Sequence, residues 1–396
     1  MKYTKITLPY KIKSGVLAFG AQSKAAFCFA KGSIAYLSGS GGDLSDLGNF
    51  KKFEKQIKLF QKKFDIKPDI IACDLHPEYI STKLAYDLAR VIENKVKKIQ
   101  HHEAHVASCI ADNNIKGRVI GVAFDGTGFG TDGNIWGGEF FIGSTKGFKR
   151  AAHLKYIAMP GGEASIKEPW RMAFSYLYAV YGKERDWPRP EGSALPRTFC
   201  PRPLRRPPQK QWRTPRNDNL GLLIQALNKG INSPLTSSMG RLFDGVSSLI
   251  SICDFAGYEG EAAIKLEKIT LVQGSRFNVQ GRYEFKYIDE NGIIIIDWEP
   301  TIRGVVRDLK AGVKKPEISL KFHNAICDMI KDVCNILKKK YKIKKVCMSG
   351  GVFQNEYLAS SIKPALEQAG FKVYLHDKIP THDGGIALGQ AVLANL

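Results

Sequence analysis

The sequence predicts an α/β protein in which a nucleotide-binding unit is built twice, and three observations carry that expectation. A glycine-punctuated strand meander followed by a helix occurs near the N-terminus and again from residue 118. Short apolar runs of strand length alternate with amphipathic helical stretches through most of the chain. Three glycine turns (Gly20 near Lys24, the run 126–133 with Gly126 and Gly128, and Gly350-Gly351) each close a predicted strand, where backbone N–H groups can face an anion.

The elements follow in order. Apolar alternation over 16–19, 25–29 and 34–37 gives three short strands separated by glycine and serine turns. A helix is expected over 49–64, a buried strand over 70–73, a helix over 79–93, a strand over 96–99 and a helix over 101–113. Residues 118–124 open the second meander, which runs through 136–142 into a helix over 168–181. Helices at 220–229, 239–253 and from 260 come next, then strands over 277–296 around Asp289-Glu290-Asn291-Gly292. A long helix over 317–340 buries Leu320, Ile326, Ile330, Val333 and Leu337. A strand over 345–348, a helix from about 354, a strand over 373–375 and a helix over 385–395 end the chain.

With 396 residues the chain can bury a core of two or three lobes. No run of eighteen apolar residues and no signal-like N-terminus occurs, so a soluble, cytoplasmic protein that takes no part in a membrane is expected. The eight cysteines form no C-x-x-C pair, which argues against a zinc ribbon or a disulfide framework and for reduced, mostly buried thiols. A net charge of +21 suits an anionic partner, nucleic acid or an acidic protein surface. Two features weaken the nucleic-acid reading. Runs such as Lys338-Lys339-Lys340 complement the end of a helix. Residues 185–216 hold eight of the seventeen arginines, and a third of the net charge, among eight prolines and almost no aliphatic side chains. That stretch reads either as a poorly packed loop or as a misread coding segment, since arginine abruptly replaces lysine there, and it carries no functional assignment.

The chemistry lies elsewhere. In His101-His102-Glu103-Ala104-His105, His101 and His105 stand one helical turn apart on one face, and Asp125 opens the glycine run twenty residues later. The H-E-x-x-H spacing of zinc proteases is missed by one residue. Alone, the histidine pair is more often a surface coincidence and Asp383 in Thr381-His382-Asp383-Gly384-Gly385 more often a helix cap, while Asp125 can be read as only a turn residue. Together the two imidazoles and two carboxylates suit Fe²⁺, Zn²⁺ or Mn²⁺. Asp244 and Glu261, in apolar helical surroundings, read either as ribose-binding acids or as helix-surface charge or an ion pair with Arg241.

These motifs resemble the C-terminal half of the hydrogenase-maturation carbamoyltransferases of the HypF family. The similar runs are 17–24, 100–109, 124–130 with 136–140, 168–173, 232–246, 258–263, 348–355 and 382–389. The resemblance implies a duplicated actin-like ATPase fold with a nucleotide and metal cleft between two lobes, set at 1–145 and 236–396 with a connecting region over 146–235. It implies a metal, Fe²⁺ before Zn²⁺, on His101, His105, Asp125 and Asp383. It places ATP-derived nucleotide on Lys24, Gly126, Gly128, Asp244, Glu261, Gly350, Gly351 and Asn355, and His102 beside the acyl group. The implied reaction moves the carbamoyl group of carbamoyl adenylate to the C-terminal cysteine thiolate of HypE, giving a thiocarbamate on the way to a cyanide ligand of the [NiFe] centre. Complete family members carry acylphosphatase-like, zinc-finger and adenylate-forming domains that do not fit here. The chain is thus expected to be a fragment, or a subunit supplied with carbamoyl adenylate by another polypeptide and lacking carbamoyl phosphate hydrolysis. The alternatives are a tRNA threonylcarbamoyl transferase, which the runs 168–173 and 237–244 disfavour, and an inactive binding module.

Overall fold

The computed structural model of the protein describes residues 2–182, 217–273 and 282–395. The arginine- and proline-rich segment 185–216 and the start of the strand region expected from 277 lie outside the described residues. The chain divides into two compact units, Met1–His153 with Lys331–Leu396, and Leu154–Ile330. Among the described residues no helix is long and apolar enough to cross a membrane.

The first unit opens with β1 (Tyr3–Ala18) and β2 (Cys28–Ser38), an antiparallel pair. Two of the three expected short strands are in fact one: Gly32, at φ +60°, is passed as an irregularity in the ladder opposite Ile12, not as a turn. α1 (Leu47–Phe64), capped by the Asp46 side chain accepting from Asn49 N–H, leads to β3 (Ile70–Asp74). Next come α2 (Ile80–Val91), β4 (Lys95–Ile99) and α3 (His101–Asp112). β3 and β4 join in parallel, giving the order β2-β1-β3-β4. β5 (Val119–Phe129), β6 (Ile135–Ser144) and β7 (Gly147–Leu154) then form an antiparallel meander, whose third strand the apolar pattern did not announce.

The second unit holds β8 (Ile157–Ala158), α4 (Ala164–Lys167), α5 (Trp170–Tyr181), α6 (Asn217–Lys229) and β9 (Leu235–Thr236), with β8 and β9 paired. It continues through α7 (Met239–Leu249), α8 (Glu261–Gln273), the hairpin β10 (Lys286–Glu290) with β11 (Ile293–Asp297), and α9 (Glu299–Lys310). Asn291 and Gly292 both take positive φ at the hairpin turn, the conformation that two-residue loop needs. α10 (Lys315–Tyr341) follows, and the division between units falls within it.

His323 of α10 is fully buried, packed against the Phe243 and Phe322 rings, with its Nδ1–H donating to the Ser319 carbonyl at 2.8 Å. Burial pulls its pKa down to about 4, against a partial upward pull from the Ser319 carbonyl. Between that value and the unfolded value near 6.5, the unfolded chain binds a proton that the folded chain refuses, so stability falls as pH falls. From pH 7 to pH 5 the parent should lose about 2 kcal/mol more than His323→Gln in urea unfolding. Equal losses would show that His323 does not titrate this way.

The chain returns to the first unit with β12 (Lys345–Ser349), α11 (Glu356–Gln368), β13 (Lys372–Tyr374) and α12 (Ile386–Leu393). β12 adds in parallel to β5 and β13 to β12, so β6-β5-β12-β13 repeats the plan of β2-β1-β3-β4, an antiparallel pair extended by parallel strands. Because β12 pairs with β5, the C-terminal segment belongs to the first unit, and the compact units differ from the segments 1–145, 146–235 and 236–396 expected above. The end of β1, where Val16–Ala18 pairs in parallel with β3, is buried on both faces, as parallel-sheet strands are. Leu17 and Phe19 pack with Phe27, Phe53 and Phe60, while Val16 and Ala18 face the alanines of α3 and α12.

Candidate metal centre

α3 starts where β4 ends because Gln100 caps it, its Oε1 accepting from Glu103 N–H at 2.9 Å. The helix is buried almost all round, so the imidazoles on its first turn and a half sit in the interior. Asp125 lies within β5, not in a turn, at the break in the β5–β6 register between Phe124 and Gly128. Asp383 opens a 3-10 turn before α12, and the capping side chain there is His382, whose Nδ1 accepts from Gly384 N–H.

These three places bring His101, His105, Asp125 and Asp383 together, with one possible ligand atom of each within 4.8 Å of all the others. His105 Nε2 is 2.9 Å from Asp125 Oδ2 and 3.6 Å from Asp383 Oδ1. His101 Nε2 is 3.5 Å and 3.7 Å from the same two oxygens. A tetrahedral ion with bonds of about 2.1 Å spaces its donors about 3.4 Å apart, so the set has the right size. His101 Nε2 is also buried with no hydrogen-bond partner, an orphaned atom that such an ion would satisfy.

Each of the four is held from behind. His101 Nδ1 donates to Asp74 Oδ2 at 2.8 Å, which leaves the Nε2 lone pair facing inward. His105 Nδ1 meets Ser349 Oγ at 3.2 Å. Gly126 N–H and Gly351 N–H both donate to Asp125 Oδ1, at 2.8 and 3.3 Å, which turns Oδ2 toward His105. Ser23 Oγ donates to Asp383 Oδ2 at 3.2 Å. Burial opposes charge on all four groups, yet the carboxylates hold His101 and His105 above the usual imidazole range, and the imidazoles hold Asp125 and Asp383 below the usual carboxyl range.

The other expected site residues fall into two groups. His102 lies beside His101, ring centroids 5.1 Å apart, with its Nδ1 3.3 Å from Gln100 Nε2, and burial and the neighbouring His101 push it well below its ordinary range. Gly128 abuts both rings: a Cβ there would come within 2.8 Å of His101 Cδ2. Lys24 stands in the turn after Ser23, at φ +47°, with its carbonyl accepting from Ser40 Oγ. Gly20 N–H is taken by Gln390 Oε1, and Gly350 N–H by the Thr381 carbonyl. Asn355 caps α11 through Oδ1 and Leu358 N–H.

Asp244 and Glu261 belong to the second unit. Asp244 is buried against Arg241 Nη2 at 2.9 Å, and burial raises it to about 6 despite that guanidinium. Glu261 pairs with Lys265 at 2.7 Å and accepts from Gly257 N–H. Motif reading missed Asp74 and took Ser349 only as the start of the Ser349-Gly350-Gly351 turn. The signal for Asp74 was present, a carboxylate ending the apolar strand Ile71-Ala72-Cys73, where a side chain has no apolar reason to be.

Residues 121–390 match the family described as "Carbamoyltransferase, Kae1-like Domain, second subdomain", and 11–112 match the "HypF Kae1-like domain". The chain is 32% identical to carbamoyltransferase HypF of Synechocystis sp. over 97% of its own length and 48% of that relative's. It therefore spans about half of that relative. It is 29% identical to a carbamoyltransferase HypF homolog of Cupriavidus necator, covering 96% of this chain and 91% of the homolog. A crystal structure of full-length HypF in its phosphate- and nucleotide-bound form superposes with a TM-score of 0.86 at 36% identity, over 99% of this chain and 47% of that one.

Proposed function

Because the chain belongs to the HypF carbamoyltransferase family, as the C-terminal Kae1-like half with its actin-like α/β fold, we propose that it transfers the carbamoyl group of carbamoyl adenylate to the C-terminal cysteine thiolate of HypE during [NiFe] hydrogenase maturation. The observation that carries this reading is the convergence of His101, His105, Asp125 and Asp383, each backed by a further side chain or N–H, next to the glycines that end β5 and β12. A divalent ion on this set, Fe²⁺ or Zn²⁺, would act as a Lewis acid toward a carbonyl or phosphoryl oxygen.

The chain's own residues supply position and charge. His101 and His105 present Nε2 lone pairs; Asp125 and Asp383 balance the cation. His102, neutral and with Nδ1 facing the Gln100 amide, offers an Nε2–H to the acyl oxygen. Gly128 carries no Cβ that would collide with these rings, and Lys24, Gly126, Gly350, Gly351 and Asn355 are the residues we assign to the nucleotide. The nucleophile is not assigned to this chain: the cysteines among the described residues are buried, and burial raises the Cys73 thiol to about 12. We assign the external thiolate of HypE as the reactant, a carbamoyl-adenylate-forming domain as a further partner and the cytoplasm as the location.

The test mixes the metal-loaded protein with synthetic carbamoyl adenylate and a peptide ending in cysteine. The expected product is the peptide with the mass of one added carbamoyl group, and AMP in equal amount. A folded, metal-loaded protein that carbamoylates the peptide no faster than the uncatalysed background would refute the reading.

A further inference from the structure

Behind His105 lies a second polar cluster that the catalytic reading does not use. Ser349, at the end of β12, has its Oγ 3.2 Å from His105 Nδ1 and 2.8 Å from His376 Nε2. His376 Nδ1 in turn faces Asp112 Oδ2 at 3.6 Å, and all four side chains are buried. We propose that Asp112, His376 and Ser349 form a relay of fixed polarity that holds His105 in the tautomer with its Nε2 lone pair toward Asp125 and Asp383, so that Asp112 and His376 are positioning residues for the metal. The proposal rests on the metal reading given above.

The polarity follows from counting donors and acceptors. For Nε2 of His105 to offer a lone pair, its proton must sit on Nδ1, and Ser349 Oγ is the acceptor there. The serine's single proton then has two destinations, His376 Nε2 at 2.8 Å and the Thr381 carbonyl at 3.5 Å. Distance favours the imidazole, and Asp112 decides the matter. At 3.6 Å its carboxylate is beyond a good hydrogen bond, yet in a buried site it strongly disfavours a lone pair on the facing Nδ1. His376 therefore carries its proton on Nδ1 and accepts through Nε2.

Asp112 is costly where it stands. It is a buried anion in the last position of α3, where the helix dipole favours cations. Its oxygens accept from Asp377 N–H at 2.7 Å and Lys378 N–H at 3.2 Å. Burial opposes its charge, but His376 and these two N–H groups hold its carboxyl below the ordinary range. The two histidines of the centre are thus both anchored to a buried carboxylate, His101 directly through Asp74 and His105 through two intervening side chains.

The experiment uses the full chain with Zn²⁺ as a diamagnetic probe and reads imidazole protonation by ¹⁵N–¹H correlation, with Zn²⁺ affinity from chelator competition. His376 should be protonated on Nδ1 and bare on Nε2, and Asp112→Asn should move that proton to Nε2. Ser349→Ala and His376→Ala should weaken Zn²⁺ binding about 10- to 100-fold with an unchanged circular dichroism spectrum. His376→Gln, whose amide can still accept from Ser349, should recover most of the loss. A parent protein with His376 protonated on Nε2, or relay variants that hold Zn²⁺ as tightly as the parent, would overturn the relay. A parent that takes up no Zn²⁺ would instead defeat the metal reading, and the His376 tautomer would still decide the relay by itself.

Discussion

Asp383→Ala and His101→Ala are expected to lose bound metal and carbamoyl transfer together while the protein stays folded. Each removes one of four ligands from a set whose donor atoms lie within 4.8 Å of one another. Transfer should fall about 10³-fold, since a Lewis acid of this kind supplies several kcal/mol of transition-state stabilisation. The two variants differ in stability. Asp383 is partly exposed, and its removal strands no fully buried carboxylate. Removing His101 strands the fully buried Asp74 carboxylate, and a broken buried pair costs about 3–5 kcal/mol. Metal analysis after anaerobic purification, with the peptide mass assay and a thermal melt, reads all three quantities. A full equivalent of iron retained by either variant would remove these residues from the ligand set.

Gly389→Ala should damage the protein more than any change at the surface. α12 crosses α3 so closely that a Cβ on Gly389 would enter the Ala104 backbone, coming within 2.9 Å of its Cα and closer still to its carbonyl. Neither partner can step aside. Ala104 lies between His101 and His105, and Ile386 to Ala391, around Gly389, are fully buried. Overpacking against backbone costs about 3 kcal/mol or more, and the shift it forces separates Asp383 from the imidazoles. A lowered melting temperature and lost metal should appear together. A melting temperature within about 1 °C of the parent would show that the two helices can part without cost.

Most elements were legible because their signals are local. The i, i+4 spacing put His101 and His105 on one helix face, and Asn291-Gly292 announced a hairpin. α9 was missed although Ile302, Val305, Val306 and Leu309 carry the helical period, because Pro300 reads as a breaker when it is a tolerated first-turn residue. β7 was missed because Lys149 and Arg150 interrupt its apolar pattern; Arg150 pairs with the buried Glu139 at 2.6 Å and stacks on Trp136, a pairing no local rule reveals.

The sequence by itself determined the α/β class, the repeated strand plan and the residue types of the candidate centre, since periodicity, glycine turns and ligand spacing act over a few residues. Only the tertiary structure decided which groups stand behind that centre. Asp74 reaches His101 across 27 positions, Ser349 reaches His105 across 244, and Gly389 admits α12 onto α3. Such contacts come from strand pairing and helix packing between distant segments, which set positions in space that no window along the chain encodes.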